Sequence, residues 1–121
     1  MQIVGILTEQ VAALLQIELP ADTNIYFGET NRIHMQTDHP DAYEKYGSLI
    51  PKILSAPDYV RQNAKDSSIE YVKEYKIDNE YVKVAVRAAS SDRLYARTLY
   101  VLNRSRAEHF IESGKLIPVS D

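Results

Sequence analysis

The second half of this chain alternates between apolar and polar residues, and that period of two constrains the fold more than any other feature. From Ser68 to Ile77, Ile69, Tyr71, Lys73, Tyr75 and Ile77 fall on one side. From Tyr81 to Ala89, Val82, Val84 and Val86 share one face, and Tyr81, Lys83, Ala85 and Arg87 share the other. Successive side chains of a strand point to opposite faces, so such a pattern reads as half-buried strand. Asp78-Asn79 supplies one turn, and Ser90-Ser91-Asp92 a second that leads into Leu94 to Leu102. Short turns between alternating runs join strands as antiparallel hairpins, here a meander.

The first half follows helical spacing instead. Gln2 to Ile6 reads as a short strand. Thr8 caps a helix whose stripe is Val11, Ala12, Leu14 and Leu15. Ile25-Tyr26-Phe27 is a short extended segment, and a helix is expected from Asn31 to about Asp38, ending before Pro40. Asp41 caps another through Tyr46. A further helix carries Leu49, Ile50, Ile53 and Leu54, with Pro51 in its first turn where proline costs little. Asn103 caps a last helix to Ser113, Gly114 ends it, and Leu116 to Val119 adds a strand. Helices followed by an antiparallel sheet give an α+β fold with the helices on one sheet face. At 121 residues, a single domain over 1–121 is expected.

Composition narrows the chemistry. The chain has no cysteine, which excludes disulfides and thiolate metal sites. Two of its three histidines, His34 and His39, stand five residues apart, a spacing that does not align both rings on one helix face. No third ligand is evident, so no metal site and no cofactor are expected. The opening residues lack the basic start of a secretory signal and no run suits a membrane span, so a cytoplasmic location and no membrane partner are expected. Net charge is −3, but its distribution is uneven: residues 61–106 carry ten basic and six acidic groups, while both flanking segments are acidic. A basic central segment can form a phosphate-binding face, although charge alone favours a solvated sheet surface.

The alternation decides which side chains can converge. If the valine row faces the helices, Lys83 and Arg87 point the other way. If Leu99 and Val101 join the core, Thr98 and Tyr100 join Lys83 and Arg87, and Arg97 falls on the core side near its edge. The opposite register buries Leu94, Thr98 and Tyr100, because a shift of one residue exchanges the faces. A helix histidine facing basic and hydroxyl groups suits metal-independent cleavage of RNA. The ribose 2′-hydroxyl must lose a proton, the phosphate must be held, and the 5′-oxygen must gain a proton. Histidine, with an unperturbed pKa of about 6.5, serves either proton step. Arginine and lysine hold the phosphate, and a hydroxyl donates to a non-bridging oxygen.

The runs Asn31-Arg32-Ile33-His34-Met35, His39-Pro40, Leu49-Ile50-Pro51-Lys52-Ile53-Leu54, Pro57-Asp58-Tyr59-Val60, Ser68-Ile69-Glu70-Tyr71 and Ala96-Arg97-Thr98-Leu99-Tyr100 occur in that order. Together they resemble the phage-associated nuclease domains of the Barnase–EndoU–colicin–RelE-like group over nearly the whole chain. The resemblance implies N-terminal helices packed on a roughly four-stranded antiparallel sheet, here with a C-terminal helix. It implies metal-independent endoribonuclease activity, often on transfer RNA, and roles as toxins or phage effectors, with a cognate immunity or antitoxin protein as a further partner. It aligns His34 with the family's helix histidine, with His39 close behind, and Thr98 with its strand hydroxyl, with Tyr100 two residues on. Lys73, Lys83 and Arg87 match its basic strand positions, with Arg97 beside the threonine. The alternative reading is an inactive RNA- or protein-binding module of the same fold.

Overall fold

The computed structural model describes residues 1–89 and 91–120. β1 (Gln2–Leu7) leads into α1 (Glu9–Leu15), where the Thr8 hydroxyl accepts from the Val11 amide. β2 (Thr23–Phe27) is followed by α2 (Glu29–Asp38) and α3 (Pro40–Tyr46). Asp41 is therefore inside the first turn of α3, and proline rather than aspartate starts that helix. A single 3-10 turn, Gly47–Leu49, precedes α4 (Ile50–Ser55). Then come β3 (Tyr59–Gln62), β4 (Ile69–Tyr75), β5 (Glu80–Ala88) and β6 (Leu94–Val101). α5 (Arg104–Glu112), capped by Asn103 through the Arg106 amide, and the short β7 (Ile117–Pro118) complete the chain. Of the expected turn at Ser90-Ser91-Asp92, residue 90 lies outside the described residues.

The fold is α+β, but the sheet is not a four-stranded antiparallel one under N-terminal helices. It has seven strands in the order β1-β2-β6-β5-β4-β3-β7. The meander β4-β5-β6 forms its middle. β1 and β2 extend the β6 edge, β2 pairing parallel with β6 through Ile25–Leu94 and Tyr26–Tyr95, which makes the sheet mixed. β3 and β7 extend the other edge. A strand opens the chain, α1 stands between β1 and β2, and α2, α3 and α4 follow β2 rather than precede the sheet. The parallel pairing of β2 with β6 joins residues nearly seventy positions apart, so no local pattern announces it.

Both faces of the sheet carry a core. On one face Ile69, Tyr71, Val82, Val84, Val86, Ala96 and Leu99 pack against Val11, Met35, Ile50, Ile53 and Leu54 from the helices. Full burial of each such aliphatic side chain is worth about 1.5–3 kcal/mol. α4 sits close enough to β1 that a Cβ on Gly5 would meet the Leu54 Cβ at 3.2 Å, so a larger residue there requires Leu54 to give way by a few tenths of an ångström. On the opposite face Val72 and Tyr81 pack with Ala107 and Leu116, so α5 covers one end of the face that the sequence leaves open. The end of α3 is tied to the start of β5. Tyr46 donates to Glu80 Oε1 at 2.5 Å, and Lys45 Nζ reaches the same oxygen at 2.8 Å. Burial, and next the bond to Glu80, push the Tyr46 hydroxyl up to about 12.

Candidate active site

α2 packs against β6, burying Met35 in the core and leaving His34 exposed. One turn on, Asp38 lies on the same helix face, as residues four apart do. Both line a cleft of about 230 Å³ with Arg97 and Thr98 of β6, Ala85 and Arg87 of β5, and Asp66 and Ser68 from the loop before β4.

A bulge in β6 makes this grouping possible. Ala85 pairs with Thr98, but the next residue, Val86, pairs with Ala96, so Arg97 is the extra residue. A bulge sets two residues of one strand against one of its neighbour and re-aims a side chain. Arg97 is thereby exposed and lines the cleft beside Thr98, whereas strict alternation puts it on the core side. Leu99 is buried and Val101 packs on the same core, so Thr98 and Tyr100 lie on the other face with Lys83 and Ala85. The register that buries Thr98 and Tyr100 is not the one adopted.

The cleft sets two arginines against two carboxylates, Asp38 and Asp66, and among the described residues its cations are left unpaired. Neither Arg87 nor Arg97 has a carboxylate within ion-pair distance among the described residues. The Asp66 carboxylate is turned inward on its own loop, accepting from the Ser68 hydroxyl at 2.6 Å and the Ser68 amide at 3.0 Å. Those two bonds hold it below the usual carboxylate range, and the Arg87 charge adds to the effect. A larger cavity of about 690 Å³ between β1, α2, α3 and α4 has no basic side chain in its lining and carries the Glu44 carboxylate.

The remaining sequence candidates are distributed around this cleft. His39 joins α2 to α3, and its ring stacks on Tyr100 with centroids 5.0 Å apart and planes 28° from parallel. These two line an adjoining depression that shares Asp38 with the His34 cleft. Lys83 Nζ lies over the Tyr100 ring at 4.5 Å and pairs with Glu70 Oε2 at 3.2 Å. Lys73 is separated from all of these: it shares the core face with Tyr71 and Tyr75, and its ammonium donates to the Ala56 carbonyl at 2.7 Å, at the end of α4. The same alternation that groups Lys83 with Arg87 removes Lys73, because Lys73 pairs with Val82 of the core row.

Sequence reasoning missed Glu70, Asp38, Asp66 and Ser68. Glu70 is only 5% exposed, its carboxylate held by Arg61 Nε at 3.2 Å, Lys83 Nζ at 3.2 Å and Asn63 Nδ2 at 3.2 Å. A lone acid on a strand's polar face reads as solvated. The signal that points to its burial is the pair of cations, Arg61 and Lys83, on the neighbouring strands.

Among the described residues, no group of three or more histidines and carboxylates is placed to hold a metal ion, and no helix is long and apolar enough to cross a membrane. No curated protein and no solved structure matches the chain. A family model does, over residues 1–109, from β1 into the last turns of α5. On that match the chain belongs to the phage-Barnase-EndoU-ColicinE5/D-RelE like nuclease3 family.

Proposed function

We propose that this nuclease-family chain is a metal-independent endoribonuclease that cuts by attack of the ribose 2′-hydroxyl. The observation that carries the reading is the single cleft shared by His34, Arg87, Arg97 and Thr98. His34 accepts the 2′-hydroxyl proton as the 2′-oxygen bonds to phosphorus. Arg97 and Arg87, both without carboxylate partners among the described residues, take up the charge that grows on the non-bridging oxygens. The Thr98 hydroxyl donates to one of those oxygens. The bond from phosphorus to the 5′-oxygen breaks, and His39, in the adjoining depression, supplies the proton that this oxygen needs. Tyr100 holds the His39 ring by stacking, and Lys83 adds positive charge on the same side. The products are a 2′,3′-cyclic phosphate and a 5′-hydroxyl end. Transfer RNA is the first RNA to test, and a toxin or phage effector role follows from the activity.

The experiment is incubation of the purified chain with total RNA and with transfer RNA in excess EDTA, followed by end analysis. Cleavage with 2′,3′-cyclic phosphate ends is expected. RNA left intact at micromolar enzyme, or cleavage that appears only when a divalent metal is added back, defeats the proposal. RNA retained without cleavage leaves the binding-module alternative.

A further inference from the structure

The face that carries the His34 cleft continues across the sheet to a second cluster of cations. Thr98 pairs with Ala85, Ala85 with Glu70, and Glu70 with Arg61, so one cross-strand row runs from β6 to β3. With strands about 4.8 Å apart, its three steps cover roughly 14 Å. At the far end Arg61, Arg106 and Lys115 gather around one aromatic ring, that of Phe110. Their charged groups lie 5.2, 5.4 and 5.2 Å from its centroid. With Lys65 they line an open cavity of about 470 Å³ that has no carboxylate in its lining. A neighbouring chamber of about 420 Å³ shares Arg61 and Arg106 with this cluster and is also lined by Lys83, Tyr100 and the Glu70 carboxylate that Arg61 and Lys83 neutralise.

Only Arg61 in the cluster has a counter-ion, Glu70 at 3.2 Å; Lys65, Arg106 and Lys115 have none within ion-pair distance among the described residues. Like charges gathered on one ring, in a chain of net charge −3, produce a local positive potential. An extended polyanion relieves it by releasing its own counter-ions.

We propose that the Lys65–Arg106–Lys115 cluster is a second phosphate-binding site that holds the backbone of the RNA several nucleotides from the cut. The proposal rests on the endoribonuclease reading for the identity of the polyanion. A strand advances about 3.4 Å per phosphate when stacked and roughly twice that when extended, so roughly 14 Å corresponds to about two to four nucleotides. The substrate class is therefore an RNA long enough to occupy both sites, and a dinucleoside monophosphate occupies the cleft alone.

The test compares the wild-type chain with a triple variant, Lys65→Ala/Arg106→Ala/Lys115→Ala, whose three side chains are exposed and whose circular dichroism and melting curve verify the fold. Each is assayed for cleavage of a dinucleoside monophosphate and of a 12-nucleotide RNA. Binding of a 2′-O-methyl 12-mer is measured by fluorescence anisotropy at several salt concentrations. Dinucleotide cleavage is expected to be unchanged, while KM for the 12-mer rises roughly tenfold at low salt with kcat retained. The log–log salt slope of 12-mer binding falls by about 2, the loss of three single-strand phosphate contacts. A wild-type KM and salt slope in the triple variant, with cleavage intact, overturn the second site alone. A 12-mer that binds through the cluster, with neither the 12-mer nor transfer RNA ever cut, overturns the nuclease reading and leaves the second site standing. Absence of binding to RNA of either length overturns both, including the case in which the cluster captures an acidic protein instead.

Discussion

Removing the Glu70 carboxylate is the sharpest stability test of the site face. Its side chain is 6% exposed, and the cations it neutralises, Arg61 and Lys83, are 20% and 12% exposed. Glu70→Ala leaves both cations on the same face without their countercharge and strands the Asn63 amide. Breaking a buried pair from one side costs about 3–5 kcal/mol, because an uncompensated charge remains. Arg61 and Lys83 retain some water contact, so the lower end applies, about 3 kcal/mol. A chain of this length has a stability of about 6–18 kcal/mol, so the variant stays folded, and its Tm falls by roughly 12 °C. Urea unfolding followed by circular dichroism measures the loss as a lower midpoint at unchanged slope. Lys83→Ala added to Glu70→Ala recovers part of it, since the stranded ammonium is gone, and a double-mutant cycle gives a coupling above about 1 kcal/mol. A Glu70→Ala loss below about 0.5 kcal/mol, or strict additivity in the cycle, refutes the claim that this carboxylate organises the face.

Three other outcomes are expected. His34→Ala lowers RNA cleavage by about 10²–10⁴-fold with the melting curve unchanged, and retention of wild-type rates removes His34 from the mechanism. Lys73→Gln leaves cleavage within about twofold and lowers stability by about 1 kcal/mol through the lost bond to the Ala56 carbonyl; a large activity loss contradicts its placement on the core face. Glu80 is held below the usual carboxylate range by its bonds to Lys45 and then Tyr46. A depressed folded value gives stability that is present above the unfolded value of about 4.5 and is lost as pH falls through the folded one. Glu80→Gln removes that dependence, so the unfolding free energies of wild type and variant converge as pH falls through the folded value. Parallel curves from pH 7 to 3 contradict the pairing.

How much of this was legible in the sequence depends on the range over which each decision is made. The valine row of β5 and the caps at Thr8 and Asn103 were readable because strand alternation and capping act within a few residues. β3 was not: it has four residues and one fully buried side chain, Val60, too few to set a period. The two-sided core was hidden as well. Val72 and Tyr81 sit at positions that read as the polar face until α5 and Leu116 fold over them.

By itself the sequence determined an α+β chain, a central meander, the grouping of Lys83 with Arg87, and, through short ordered motifs, the nuclease family. Only the tertiary structure decided the candidate site. The parallel pairing of β2 with β6 and the packing of α2 against β6 bring His34 to the sheet face from the other half of the chain. The bulge at Arg97 then turns that guanidinium toward Thr98 instead of the core. Such choices follow from how two distant strands pair over a packed core, where one extra residue is absorbed locally. A period of two carries no record of it.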